Sequence, residues 1–407
     1  MKKIFATAVC VLMICALALP VIAGTDDDVV KAASIEHFAT ISAADVNNAI
    51  EMRGFTASPD GKYVYGGFLQ GGRYTVRFDV ENGMAQAGSY KPAHNVAGDS
   101  ADNEYCKGLA VDDRGYLYVG ITHSNKSFVT VAAVDADMHE VGHLTEDLGK
   151  SKTGINGVAV QKVGDKYLLY AVTAYDADGV RCYDVTDPAN ISLYKSFGVN
   201  GVMDYETVIG AKDPSYIAVD TDGNVYLTYL RGIRYSKGSH VGLISPDGKT
   251  LVKEVAVNEA YGICEAGDYL FVATFDGPDS CVHVLNKSDL SEVTTYKYAD
   301  QWSNMSDIAY GGGTLYVGDH GDNSKGEAGN ILKVELDLST GEEVGPGTGS
   351  KGDVTGDGKL NNKDVVALFR YVSSGATGAD PAVYDFNGDG KINNKDVVAL
   401  FRYVSAQ

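Results

Sequence analysis

Six segments of the chain share one local pattern: a short apolar strand, a tight turn rich in Asp and Gly, then a longer aromatic strand. They read GFTASPDGKYVYGGF from Gly54, GLAVDDRGYLYVGIT from Gly108, GVAVQKVGDKYLLYAVT from Gly157, YIAVDTDGNVYLTYL from Tyr216, GICEAGDYLFVATF from Gly262 and DIAYGGGTLYVGDH from Asp307. Turn residues set between alternating apolar residues are hairpin signals. One or two further strands follow each unit, such as FVTVAAVD (128–135), GVRCYDV (179–185) and CVHVLNK (281–287). Successive starts lie 45 to 59 residues apart. Some four strands recurring at about 50 residues predict a β-propeller blade, and six starts predict a mainly β, six-bladed β-propeller. Its expected span is residues 33–338. A pair of β-sandwiches would not explain units repeating at blade length. The 26 Tyr and 48 Gly suit such a chain, because strands favour aromatic residues and tight turns favour Gly. The segment SIEHFATIS (34–42) precedes the first unit, and the last unit is short of an outer strand. The expectation is that 34–42 supplies that strand and closes the ring, covering edges that would invite aggregation.

These repeats resemble those of NHL, SMP-30 and YVTN-type propellers, a superfamily defined by shape more than by activity. The resemblance implies a funnel on one face of the ring. Loops leading into the innermost strands would bring Arg53, Lys107, Asn156, Tyr216, Tyr261 and Asp307 to it. Loops after the second strands would bring His123, Tyr175, Asp176, Arg231, Asp276, Asp319 and His320. Of these, His123, Arg231, Asp276, Asp307, Asp319 and His320 are the candidate catalytic residues. His123 and His320 fall at the same place in their blades, and histidine is scarce, with eight in the chain. Solvated polar loops are the plainer explanation of each. No Ser-His-Asp order, phosphate loop or H-E-x-x-H is present, and a glycosidase carboxylate pair is not readable from spacing.

The C-terminus carries a second repeat. NNKDVVALFRYVS stands at 361–373 and again, unchanged, at 393–405. Each copy follows a loop with oxygen side chains at its first, third, fifth, ninth and twelfth places and Gly at the sixth. These are Asp353, Thr355, Asp357, Asn361 and Asp364, then Asp385, Asn387, Asp389, Asn393 and Asp396. Lys359 and Lys391 hold the seventh place, where the backbone carbonyl would ligate. This is the spacing of a calcium loop, since a hard cation takes six to eight oxygens and the Gly permits the sharp turn. One calcium ion per loop, two in all, is expected. The closing Asp, in place of Glu, requires a tighter wrap or single-oxygen ligation. Thr355 makes the first loop the weaker site. Val365, Leu368, Phe369 and Val372 repeat at helical spacing, as do Val397, Leu400, Phe401 and Val404. No helix is evident before either loop, so the units read as loop–helix rather than helix–loop–helix.

Residues 351–407 closely resemble a type I dockerin, a small module that docks onto cohesin domains of a scaffold protein. The resemblance covers about one-seventh of the chain. It implies a cohesin partner bound through Asn362, Lys363, Phe369 and Arg370 of one copy, or Asn394, Lys395, Phe401 and Arg402 of the other. Twin helices would allow docking in either of two orientations. The hydroxyl pair of some members is absent, which implies a different specificity group. Helical spacing alone places Phe369 and Phe401 in the core; the family pattern places them in the contact.

Residues 339–350 form a linker of Gly, Ser and Thr between the two domains. Residues 1–24 read as a secretory signal peptide: two lysines, a long apolar run, then small residues, with cleavage after Ala23 or Gly24. A secreted, extracellular protein is expected. A formal charge of −20 argues against nucleic acid or an anionic membrane as partner. Beyond the signal, Cys106, Cys182, Cys264 and Cys281 are expected as free thiols or as two disulfides, and their spacing fits no zinc pattern.

Three functions compete. The propeller is a polysaccharide-active enzyme delivered by its dockerin, a glycoside hydrolase or lyase acting on plant cell wall. It is a non-catalytic propeller that binds carbohydrate or protein. Or it is a metal-dependent lactonase-like enzyme, for which Glu51, Asn156 and Asp307 are the available ligands. Dockerin-bearing proteins mostly degrade polysaccharide, so the resemblance raises every plant-polymer reading, while fold alone cannot choose among the three.

Overall fold

The computed structural model describes residues 35–70, 75–92, 104–123, 127–151, 153–175, 179–210, 212–230, 238–276, 279–298, 304–336, 351–354, 360, 362–374 and 380–405. The chain divides into two compact units at Leu338–Ser339.

The first unit is a six-bladed propeller. Each blade is an antiparallel sheet of four strands, with a fifth added in blade three. The innermost strands are Ile50–Ala57, Glu104–Val111, Thr153–Val163, Lys212–Val219, Ala260–Ala266 and Met305–Gly311, and each packs on the next, the last on the first. The longest repeat interval, between Gly157 and Tyr216, holds the strand Val202–Asp204 and the one-turn helix Tyr205–Val208.

The repeated aromatic of the second strand explains why blades stack. Tyr65, Tyr118, Tyr170, Tyr226, Phe271 and Tyr316 occupy equivalent places and are all buried. Each belongs to a different apolar cluster, and each cluster joins one blade to its neighbour. The core is therefore six interfaces arranged in a ring rather than one centre.

The ring closes as expected. Strand Glu36–Ser42 pairs antiparallel with Glu327–Glu335 and becomes the outermost strand of the last blade. Thr40 Oγ1 donates to Asn330 Oδ1 at 2.7 Å, and the Phe38 ring tilts onto Tyr316. Ile35 and Ile41 are each 5% exposed. Deleting residues 35–42 exposes an edge and both isoleucines, an expected loss of about 3–6 kcal/mol at 1.5–3 per buried aliphatic side chain. Denaturant melts of the truncated and full chains check this; superimposable curves would refute the closure role. The four cysteines of this unit form no disulfide, and three of them are buried while Cys264 is half-buried.

In the second unit the helices Asn362–Ser374 and Asn394–Ser405 pack on each other. Val354, Leu368, Val383, Tyr384 and Leu400 form the core, with the Tyr371 and Tyr384 rings edge to face at 4.9 Å. The twin leucines Leu368 and Leu400 are both fully buried. Gly352 must be Gly: its φ is 89°, and a Cβ there would lie 2.5 Å from the Phe386 ring. One expectation is revised and one open alternative is narrowed. A single helical turn, Pro381–Tyr384, precedes the second loop, capped by Asp380 with Pro at its start. Phe369 and Phe401 are not core residues: they are 53% and 54% exposed. Two short helices bury only the Leu-centred part of each apolar stripe.

Candidate functional site

All six innermost strands carry a register shift at the same height. The shifts fall at Met52/Gly54, Cys106/Gly108, Ile155/Gly157, Pro214/Ile217, Ala260/Ile263 and Met305/Asp307. A bulge leaves one residue unpaired and re-aims its side chain. Here it does so six times around one axis. Arg53, Lys107, Asn156, Ser215, Tyr216, Tyr261 and Ser306 lie within the shifts. Arg53, Lys107, Asn156, Tyr216, Tyr261 and Asp307 therefore belong to strands, not to the loops in which they were expected.

Just past the shifts, the ring narrows to backbone contact. A Cβ on Gly54 would lie 2.2 Å from the Lys107 carbonyl oxygen, and one on Gly262 would lie 2.6 Å from Asp307 Cα. Gly108 and Gly157 complete four of six equivalent places, and Tyr216 and Asp307 hold the other two. The Tyr216 hydroxyl reaches from blade four to donate to the Arg53 carbonyl of blade one. Asp307 is 5% exposed and accepts from Phe55 N at 3.3 Å and Ile308 N at 2.9 Å. Burial pushes its carboxyl well above the ordinary carboxylate range, against the pull of those two donors. Both side chains stand at this narrow level of the ring. On one side lies a cavity of about 420 Å³, lined by all six innermost strands and opening by Asp112, Asp113 and Lys162.

On the other side the bulge residues form a mouth. Arg53 Nη2 lies 3.2 Å from Glu51 Oε2, and its guanidinium stands 5.6 Å from the Phe275 ring centre. Glu51 holds this position with a left-handed φ of 59°, uncommon for a residue with a side chain. Tyr261 packs between Tyr216 at 5.1 Å and Phe275 at 5.2 Å. His320 meets Phe275 edge to face at 4.8 Å. Lys107 Nζ is 3.5 Å from Asn156 Oδ1, while Asn156 Nδ2 donates to the Pro214 carbonyl. Every blade contributes to this cluster. Phe275 went unrecognised in the sequence: it ends the fifth repeat segment, one residue beyond its strand, where an aromatic reads as one more strand residue.

His320 is 6% exposed, and its Nε2 has no hydrogen-bond partner among the described residues. Burial, with the nearby Arg53 and Lys107 charges, pulls its pKa from 6.5 down to about 3. The imidazole is thus neutral when folded, whereas the unfolded chain takes up a proton below 6.5. This contribution to stability is complete above 6.5 and is lost as the pH falls toward 3. Between pH 7 and 5 the loss is about 2 kcal/mol by linkage. Asp307, with its raised pKa, acts in the opposite sense, so the measurement compares His320→Gln with the parent at each pH. The variant is expected to lose less stability on acidification; equal losses would show that His320 is not held neutral.

The other candidates separate. His123 is fully buried inside blade two, with Nε2 2.8 Å from Thr130 Oγ1. Asp319 accepts from Asn304 N and Gly321 N and organises its own loop. Asp276 accepts from Asn258 Nδ2. Arg231 and Asp176 lie outside the described residues, as does the Tyr175 side chain. Nor do Glu51, Asn156 and Asp307 make a ligand set: one pairs with Arg53, one with the Pro214 carbonyl, one with two backbone N–H groups. In the propeller's described residues, the carboxylates and histidines that gather closely enough to share an ion are Asp135, Asp137 and His139, on a largely exposed turn.

In the second unit, the loop from Asp385 to Asp396 wraps on its two end carboxylates. Asp385 accepts from the backbone N–H groups of Gly388, Asp389 and Gly390. Burial opposes ionisation, yet those bonds hold its carboxyl below the ordinary range. Asp396, fully buried, accepts from Asn387 N and Asn393 N. Gly388 and Gly390 take φ values of 78° and 79°, the left-handed turns that make the wrap. Asp353 and Asp364 of the first loop are equally buried, while Thr355, Asp357, Lys359 and Asn361 lie outside the described residues. Four buried aspartates in so small a unit fit a hard cation, because buried charge is costly unless paired or ligating. The helices turn matched apolar pairs outward: Val366 with Phe369, and Val398 with Phe401. Asn394, Lys395 and Arg402 are exposed beside the second pair. The side chains of Asn362, Lys363 and Arg370 lie outside the described residues.

This calcium-loop fold with twin exposed helices defines a docking module. Residues 351–405 match the dockerin type I domain, a calcium-binding family whose members bind cohesins. No curated protein matches the chain. Among solved structures, the PQQ-bound form of aldose sugar dehydrogenase from Streptomyces coelicolor is similar at 15% identity. It covers 75% of this chain and 98% of that one, with a TM-score of 0.50. The Cps50 (Swd1) β-propeller domain of Myceliophteria thermophila is 10% identical, over 74% of this chain and all of that one, at a TM-score of 0.48. Hydrazine synthase of Kuenenia stuttgartiensis is 14% identical, over 67% of this chain and 74% of that one, at 0.44. At such identities the likeness concerns the fold alone.

Proposed function

We propose that this chain is a secreted component of a cellulosome-like complex. Its dockerin takes two calcium ions and binds a scaffold cohesin, and its propeller engages plant cell-wall polysaccharide at the Arg53 mouth. The observation that carries the docking half is the pair of matched, exposed helix faces above buried aspartate loops. The first calcium would be held by Asp353, Thr355, Asp357, Asn361, Asp364 and the Lys359 carbonyl. The second would be held by Asp385, Asn387, Asp389, Asn393, Asp396 and the Lys391 carbonyl. The polysaccharide half is supported by the convergence of six blades on one mouth that mixes cations, an amide, aromatic faces and a buried histidine, a mixture suited to sugars. Binding rather than glycoside hydrolysis is supported by the described residues of the cluster, among which Arg53, Lys107 and His320 rather than two facing carboxylates dominate.

The test has two arms on the full-length protein. Calorimetry with a panel of type I cohesins is expected to find at least one calcium-dependent partner. A screen against plant polysaccharides, reading binding, reducing ends and unsaturated products together, is expected to find a ligand. No cohesin binding would remove the first half of the reading, and no saccharide response would remove the second.

A further inference from the structure

The mouth carries a charge pattern unlike the chain around it. The protein has 54 acidic against 34 basic side chains. Yet among the described residues Arg53 and Lys107 stand here with Glu51 as the carboxylate paired to Arg53, and burial pushes the Asp307 carboxyl beneath them well above the ordinary carboxylate range. Glu51 engages one end of the guanidinium, and Arg53 Nε has no partner among the described residues. The deeply buried His320 Nε2 is likewise unpartnered within the same cluster. A buried polar group left unsatisfied is costly, and a ligand that bonds it recovers that cost.

A carboxylate meets these demands, since it accepts charge-assisted bonds from guanidinium and ammonium and an ordinary one from an imidazole N–H. Phosphate offers the same oxygens but has no use for what lies alongside: the half-buried Tyr261 and Phe275 rings and the Asn156 amide. Aromatic faces pack on the C–H faces of a sugar ring, and an amide suits its hydroxyls. We infer that the mouth formed by Arg53, Lys107, His320, Tyr261 and Phe275 binds a carboxylate-bearing sugar, a uronic acid residue of a cell-wall polysaccharide. This rests on the reading that the propeller engages polysaccharide, and names the class it selects.

Calorimetry of the full-length, calcium-loaded protein with trigalacturonate, cellotriose and inorganic phosphate tests it. Trigalacturonate is expected to bind at least ten-fold more tightly than either of the others, and more weakly as salt is raised. Arg53→Gln and Lys107→Gln should each weaken it at least ten-fold. Lys162→Gln, at the opposite end of the channel, should leave it unchanged. If one variant fails to fold, the other variant and the salt dependence of the parent still decide. Equal binding of both trisaccharides, insensitive to Arg53→Gln and Lys107→Gln, would overturn the uronate assignment while sparing the polysaccharide reading. Phosphate binding as tight as trigalacturonate would reduce the mouth to an anion site. No saccharide binding at all would remove both readings.

Discussion

Chelation of calcium is expected to unfold residues 351–405 while the propeller keeps its melting transition. The dockerin core is small: five fully buried apolar side chains and two short helices. A unit of this size seldom stands without a staple. Here it also holds Asp353, Asp364, Asp385 and Asp396 at 8% exposure or less. Without the ion, like charges in each loop repel, and the cost of burying them is offset by only a few backbone N–H groups. With it, the free energy of binding becomes free energy of folding. In hydrogen exchange of the full chain with excess EDTA, amides in 380–405 should lose protection and those of the blades should not. Cohesin affinity should fall by about a thousand-fold or more, some 4 kcal/mol. Protection that persists in EDTA would show that the helices stand without metal.

The duplicated helices lead to a second expected result. If Val366 and Phe369 offer a cohesin the surface that Val398 and Phe401 offer, the module docks in two orientations. Replacing Asn362→Asp with Lys363→Glu should then halve the affinity, because losing one of two equal modes costs RT ln 2, about 0.4 kcal/mol. Replacing Asn394→Asp with Lys395→Glu should do the same, and all four together should abolish docking. Calorimetry of the three variants against one cohesin separates this from the alternative. A large loss from either single-copy variant would mean one face alone is used and the duplication preserves only the calcium core.

The blades were legible in the sequence because each repeats the same aromatic place, Tyr65 through Tyr316, and each such residue seals an interface. The closing strand was legible because 34–42 had strand character and no blade of its own. The mouth was only half legible. Arg53, Lys107, Asn156 and Tyr261 stood out as polar or aromatic residues just ahead of the repeats, but a one-residue register shift leaves no trace in composition. That shift is what turns them to the axis. His123 and His320 looked equivalent by position. One ends inside a strand and bonds Thr130, while the other falls just past its strand beside Phe275. Helical spacing misplaced Phe369 and Phe401 because periodicity marks a stripe, not how much of it a neighbour covers.

Tyr216 and Asp307, set among four glycines, make the ring a cup rather than a pore. A polymer drawn through the axis would have to part the Tyr216 hydroxyl from the Arg53 carbonyl and the buried Asp307 carboxyl from Phe55 N. A polysaccharide meets it by its end or by a stretch laid across the rim. The cavity behind the stopper is a separate compartment, reached from the opposite side.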